Sequence, residues 1–240
     1  MKPDTGSYPQ RLQGRHALVT GAASGLGAAI AARLAGEGAA VAVVDIDAAG
    51  AERHARELGE NAFALSLDVT DETAWEEAAN RVTERWGRLD VLVNNAGITT
   101  MGSIEALSVE GLRHELEVDV VGVFLGCKYG IRLMKETGGS IINMSSAAGL
   151  RADPDLAGYN AAKSAVTLMT KSIALHCARE KYGIRCNSVH PGAIHTPIID
   201  KVLAQVDDPE ATLAGFIASH PIGYLGQPED IAAIVAYLAS

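Results

Sequence analysis

Cysteine is scarce in this 240-residue chain: there are three, at Cys127, Cys177 and Cys186, with no Cys-x-x-Cys pair among them. Cys177 follows His176 directly, and neighbouring side chains on a helix diverge by about 100°, a poor start for a shared metal. No metal site is expected, and the thiols read as buried and free in a reducing compartment. Positive charge is also short. Lys and Arg number 20 against 29 Asp and Glu, a formal net charge of -9, and no basic run breaks that balance. An acidic surface repels nucleic acid and anionic membranes, so neither is an expected partner. Long apolar runs are missing as well. The Ala/Gly-rich stretch from Ala17 to Gly36 is interrupted by Ser24 and Arg33, and Met1 to Gln10 holds Lys2, Pro3, Asp4 and Pro9 but no apolar core. These features exclude a membrane span and a signal peptide, and a cytoplasmic location is expected.

What is present is ordinary globular composition, 48% apolar and 20% charged. Short apolar segments alternate with helical ones. The spacing predicts strands at His16–Thr20, Ala40–Val44, Ala62–Leu65, Leu89–Val93, Ser140–Met144 and Ile184–Val189. Between them fall helices near Leu26–Glu37, Ala48–Leu58, Glu72–Trp86, Val109–Lys135 and Tyr159–Glu180. Buried-type strands with intervening helices imply a doubly wound parallel sheet of the Rossmann kind, in three layers α/β/α, over a single domain (1–240) with a flexible tail at 1–13. Such sheets bind ligands at the carboxyl ends of their strands.

Thr20-Gly21-Ala22-Ala23-Ser24-Gly25-Leu26-Gly27 closes the first strand and opens the first helix. Glycine permits a tight turn and lets backbone approach a pyrophosphate, while the helix start offers unpaired N–H groups and a positive dipole end. Asp45 ends the second strand, where a carboxylate accepts from both hydroxyls of an adenosine ribose and repels a 2′-phosphate. Neither Ile46 nor Ser24 supplies a cation for that phosphate, so NAD is expected over NADP.

Tyr159 and Lys163 are four apart and share one face of a helix. A free phenol titrates near ~10; a neighbouring ammonium favours the phenolate and brings that value down, which makes the pair a tunable acid/base. Ser145-Ser146 follows the strand ending at Met144, at the same sheet edge as Gly21 and Asn94. A hydroxyl there is placed to polarise a carbonyl; no Gly-x-Ser-x-Gly elbow marks it as a nucleophile.

In these motifs the chain, from about Arg15 to Ser240, resembles the short-chain dehydrogenase/reductase family. The resemblance rests on Thr20–Gly27, Asn94-Asn95-Ala96-Gly97, Ser145-Ser146, Tyr159-x-x-x-Lys163 and the Pro191-Gly192-x-Ile194-x-Thr196-Pro197 segment. It implies that Tyr159 exchanges the proton of a ketone or alcohol oxygen, that Ser146 is the catalytic serine with Ser145 its structural neighbour, and that Lys163 binds the nicotinamide ribose and lowers the Tyr159 pKa. It places Asp68 and Val69 at the adenine, Asn94 and Gly97 at the adenosine side with Asn95 and Ala96, and Ile194 and Thr196 at the carboxamide. Gly21, Ser24, Gly25, Leu26, Gly27, Asp45, Ile46, Pro191 and Gly192 complete the expected cofactor contacts. A homotetramer built on the two long helices is implied, as is a seventh strand beyond the helix near Pro228–Ala239.

One position departs from the family pattern. Asp119 stands where an Asn usually supports a water-mediated relay to the lysine; its charge opposes a phenolate and stabilises Lys163. Its place in a relay is therefore doubtful. His190 and His195 flank the Pro-Gly turn without zinc spacing, and His195 is a candidate substrate contact. The apolar stretch from Thr196 to Tyr224 reads either as a cover over a lipophilic substrate or as an ordinary packed helix pair. The segment Asn187–Gly192 with Thr196-Pro197 looks nearest the bacterial hydroxysteroid and alicyclic-alcohol branch. The expected function is NAD-dependent interconversion of a secondary alcohol and a ketone; a 3-oxoacyl-carrier-protein reductase and a non-catalytic NAD-binding sensor are the alternatives. Asp119→Asn is expected to keep or raise turnover, and a loss of about tenfold or more in kcat would show that the carboxylate is required.

Overall fold

The computed structural model describes residues 10–240, with the side chains of 198 and 201 excepted. Six strands, β1 (His16–Thr20), β2 (Ala40–Asp45), β3 (Ala62–Ser66), β4 (Val91–Asn94), β5 (Gly139–Met144) and β6 (Ile184–Val189), form one sheet in the order β3-β2-β1-β4-β5-β6. Every pairing is parallel. The helices are α1 (Gly25–Gly36), α2 (Ala48–Leu58), α3 (Glu72–Trp86), α4 (Val109–Leu116), α5 (Gly122–Met134), α6 (Ala157–Arg179), α7 (Pro197–Leu203), α8 (Pro209–Ala218) and α9 (Pro228–Ala239). This is the doubly wound, three-layered architecture expected from the alternation of segments.

Strand alternation divides the core in two. Ala17, Val19, Val41, Val43, Val91, Val93 and Ile142 face the side covered by α1 and α9. Leu18, Ala42, Val44, Leu92 and Ile141 face the side covered by α3, α5 and α6. Period-two geometry sends successive side chains to opposite faces, and both faces are dry, which is why the strands read as continuous apolar runs. The three cysteines are buried and unpaired. Among the described residues no helix is long and apolar enough to cross a membrane, and no cluster of potential metal ligands forms.

Two expectations need correction. The tail expected over 1–13 lies, for its first nine residues, outside those described. Its remainder is not loose: Leu12 is fully buried and donates its N–H to the Glu37 carbonyl at 3.0 Å. Arg11 clasps the buried Glu37 carboxylate with two hydrogen bonds of 2.7 Å, and Arg33 adds a third at 2.7 Å. The partner of this tail sits 26 residues away at the end of α1, beyond the reach of local pattern. Second, the long helix expected over Val109–Lys135 is continuous but not uniformly α. A π-helical turn at Glu117–Val121 separates α4 from α5. Such wide turns shift the side-chain phase and recur at functional sites. Beyond it, Gly122, Gly126 and Gly130 line up against Val69, Asn94 and Leu92, and their lack of a Cβ lets α5 lie close on the sheet.

Burial pushes the Glu37 carboxyl upward, but the hydrogen bonds and charges of Arg11 and Arg33 outweigh it and hold the pKa below the usual carboxylate range. A depressed folded-state pKa stabilises the fold above the unfolded carboxyl value and loses that stability as pH falls through the folded value. Glu37→Gln is therefore expected to cost about 1–3 kcal/mol near neutral pH. In thermal melts the gap to the parent chain narrows below about pH 4.

Candidate active site

Because β1 and β4 are adjacent while their chains wind outward in opposite directions, a crevice opens at their carboxyl ends. Thr20 ties its two walls together. Its hydroxyl donates to the Val93 carbonyl at 3.4 Å and accepts from the Asn95 and Ala96 N–H groups, both at 3.0 Å. Asn95 returns the contact, donating to the Thr20 and Gly21 carbonyls at 2.9 and 3.2 Å. The walls meet so closely that side chains are excluded. Gly21 has φ +64°, and a Cβ there would lie 2.8 Å from the Ala96 Cα; one on Gly27 would run into the Gly21 carbonyl. The α1 start is left open: the Ser24 hydroxyl makes no capping bond and no acid lies in the first turn. The positive helix end with its free N–H groups fits a pyrophosphate. Asp45 accepts from the Ala23 and Asp47 N–H groups, both at 3.0 Å, which orients its carboxylate at the end of β2.

The crevice runs on as a cleft of about 1100 Å³. Around it the structure gathers the expected cofactor residues: Gly21, Ser24, Gly25, Leu26, Gly27, Asp45, Ile46, Asp68, Val69, Asn95, Ala96, Gly97, Pro191, Gly192, Ile194 and Thr196. Ser146, Tyr159 and Lys163 line the same cleft. Asn94 does not. It is the last residue of β4, its side chain turned inward to donate to Asn143 Oδ1 at 2.8 Å, and Asn143 in turn donates to Thr170 at 2.9 Å. Strand parity, which sends Asn94 to the core and frees Asn95, is the reason. His195 is exposed and lies outside the lining.

β5 delivers the two serines to different tasks. Ser145 Oγ is buried, 2.9 Å from the Lys163 carbonyl and 2.8 Å from Thr167 Oγ1, and locks the strand to α6. Ser146 Oγ accepts from the Ala148 N–H at 3.1 Å. That bond occupies a lone pair and leaves the hydroxyl hydrogen to donate into the cleft. The Ser146 carbonyl lies 3.2 Å from His190 Nδ1, and His190 Nε2 lies 2.9 Å from Ser188 Oγ, so His190 braces the serine's backbone.

On α6, Lys163 Nζ stands 5.4 Å from the Tyr159 ring centroid. Behind it, Asp119 forms a buried ion pair with the ammonium at 2.8 Å, and the Met144 carbonyl accepts from it at 3.2 Å. Asp119 Oδ1 accepts from the Ile98 N–H at 2.8 Å, so the residue at the relay position anchors lysine and loop together. Burial alone would lower the Lys163 pKa, yet Asp119 and Tyr159, with a smaller pull from Glu115, outweigh it and hold the value above that of a free lysine. The ammonium is a fixed cation throughout the neutral range. Removing one partner of such a pair costs about 3 kcal/mol or more, so variants of Asp119 must be compared where each is folded.

Sequence reasoning passed over Glu115, fully buried on α4 with its Oε1 accepting from the Thr100 N–H at 3.0 Å. Its spacing of four from Asp119, which puts both acids on one helical face, was the available signal. It also passed over the cleft-lining Arg151 and His220. Over the cleft, α7 and α8 contribute Ile199, Val202, Thr212, Gly215 and Phe216. α8 buries none of its residues, which fits a cover better than a packed helix pair.

A family model described as enoyl-(acyl carrier protein) reductase matches residues 21–240. The chain is 43% identical over 237 residues to a 3-beta-hydroxysteroid dehydrogenase of Comamonas testosteroni, a match covering 96% of this chain and 90% of that protein. The chain belongs to the short-chain dehydrogenase/reductase family. A second relative of this short-chain dehydrogenase/reductase, at 41% identity over 96% of this chain and 91% of its own, is an NADP-dependent (R)-specific alcohol dehydrogenase of Lentilactobacillus kefiri. Among solved structures, a 3-ketoacyl-(acyl-carrier-protein) reductase of Brucella melitensis complexed with NADH superimposes with a TM-score of 0.86 at 36% identity, covering 95% of this chain and 92% of that one.

Gly27→Ala is expected to abolish dinucleotide binding, or folding with it, because the methyl group meets backbone that cannot give way. Titration followed by nicotinamide fluorescence checks it; a dissociation constant within about threefold of the parent's, under 0.7 kcal/mol, would show that the walls can part.

Proposed function

We propose that this oxidoreductase interconverts a secondary alcohol and a ketone on a hydroxysteroid-like or alicyclic substrate, with NAD as its cofactor. The observation that carries the reading is the convergence of a fixed ammonium, a phenol and a free serine hydroxyl on one cleft beside an open helix N-terminus. Bound in the crevice, a nicotinamide dinucleotide supplies the hydride acceptor for oxidation and the donor for reduction. Tyr159 takes the hydroxyl proton of the alcohol, or returns it to the ketone oxygen, with the Lys163 ammonium beside its ring. The Ser146 hydroxyl donates to the same substrate oxygen and stabilises charge that develops there. Asp119 keeps the ammonium in place. The apolar side chains of α7 and α8 exclude water and suit an alicyclic ring.

NAD is favoured because Asp45 sits where a 2′-phosphate would need a cation. The Lys and Arg residues that line the cleft, Lys163 and Arg151, both come from the β5–α6 side of the chain. Single-domain organisation is supported by the one sheet shared by the six described strands, and a homotetramer by the exposed Phe124 on α5 and Leu168 and Leu175 on α6. The likeness to a 3-ketoacyl-(acyl-carrier-protein) reductase supports a second reading, reduction of a 3-oxoacyl thioester.

A panel of cyclic secondary alcohols, ketones and a 3-oxoacyl thioester, run with NAD and NADP in parallel, separates these readings. The expected result is NADH formation from cyclic alcohols, kcat/KM at least about tenfold higher with NAD, and a loss of about 100-fold or more in Tyr159→Phe. Preference for the thioester supports the second reading. Dinucleotide binding without turnover, unchanged in Tyr159→Phe, sinks both.

A further inference from the structure

One buried acid takes no part in the chemistry above. Glu115 has no exposed surface, and only one of its carboxyl oxygens is bonded, by the Thr100 N–H at 3.0 Å. Oε2 has no hydrogen-bond partner and rests against Gly158, where an added methyl group would run into it. Asp119, four residues on, repeats the arrangement. Its Oδ1 accepts from the Ile98 N–H at 2.8 Å and its Oδ2 meets Lys163 at 2.8 Å. Thr100 and Ile98 belong to one segment, Gly158 and Lys163 to one helix. The two acids are thus successive rungs between the same two walls, and Gly158 immediately precedes Tyr159.

We propose that Glu115 is a positioning residue of the reacting site, a rung that sets the gap between the 98–101 segment and the first turn of α6 and thereby seats Tyr159. The inference rests on Tyr159 being the acid/base of the proposed reaction. The Lys163 ammonium is held by the Asp119 rung, whereas Glu115 Oε2 takes no hydrogen bond among the described residues. The titratable groups around Glu115 are Asp119 and His114 on its own helical run and Lys163 and Tyr159 on α6; the 98–101 segment brings none. Burial pushes the Glu115 carboxyl above its usual range, assisted by Asp119, against the pull of the Thr100 N–H, Lys163 and His114.

The sign of the pH effect follows. A folded-state pKa raised above the unfolded value contributes stability that is complete below the unfolded carboxyl value and is lost as pH rises through the folded one. Ionised, Glu115 places a second negative charge beside Lys163 and opposes the Tyr159 phenolate. Glutamine keeps the acceptor for Thr100 and cannot ionise.

The test compares Glu115→Gln and Glu115→Met with the parent chain, by thermal melts from about pH 5 to pH 9 and by steady-state kinetics on the alcohol found in the screen. The Met variant is expected to lower kcat about tenfold or more with the dinucleotide KM within about threefold, and the Gln variant to recover most of that loss. The melting temperature of the Gln variant gains on the parent's as pH rises, and its kcat profile is flatter on the alkaline side. Equal kcat in the Gln and Met variants, whether high or low, overturns the proposal, as does a Gln-to-parent melting difference that does not change with pH. Should the Met variant not fold, Gly158→Ala, which drives a methyl into the rung with Glu115 intact, takes its place; parental kcat in it is likewise fatal. The melts need no turnover. A parent chain inactive on every alcohol therefore counts against the proposed reaction, and a flat melting difference counts against Glu115.

Discussion

A single buried ammonium organises this protein's centre. Lys163 is almost wholly removed from water, and an isolated charge in that position would shed its proton. Asp119 prevents this, and in doing so commits the carboxylate end of the α4–α5 run to face α6. The Met144 carbonyl adds a bond from the end of β5. Strand, helix and loop thus converge on one charge, and Tyr159 inherits its electrostatic surroundings from that convergence. A carboxylate at position 119 brings a charge of its own and holds the cation firmly.

The second constraint is geometric and belongs to the opposite end of the cleft. Thr20 and Asn95 stitch β1 to β4 across the point where the sheet's winding reverses, and glycine is what allows backbone to touch backbone there. The glycine turn and Ser146 are therefore built on the carboxyl ends of one sheet, with Tyr159 and Lys163 brought to the same cleft by α6. Asn95 and Ala96 lie against the glycine turn, while Gly97, two residues after Asn95, packs beside Asp119 and Lys163. One short segment conveys the position of either half to the other.

Much of this was legible in the chain itself, and the reasons differ by residue. The Thr20–Gly27 turn and the Tyr159–Lys163 pair are local: their spacing fixes their geometry whatever surrounds them. The parallel sheet and three layers followed from the alternation of buried segments. What escaped depended on distant partners. Leu12 and Arg11 looked like loose tail because Glu37, which holds them, is far along the chain. Asn94 was set on the cofactor side because a motif says which residues occur together, not which way strand parity turns each of them. Glu115 went unremarked, since its spacing of four from Asp119 puts both acids on one helical face without saying that the face is buried.

The π-helical turn at Glu117–Val121 was equally silent, and it bears on how the helix tolerates change. Glu115, just upstream of it, and Asp119, within it, are the acids that address α6; downstream, Gly122, Gly126 and Gly130 form the smooth side on which α5 meets the sheet. An α-helix advances about 100° per residue, so deleting one residue to restore a regular turn would swing that smooth side off β4 or rotate the acids out of register. A one-residue insertion or deletion in this run therefore disturbs both sides at once.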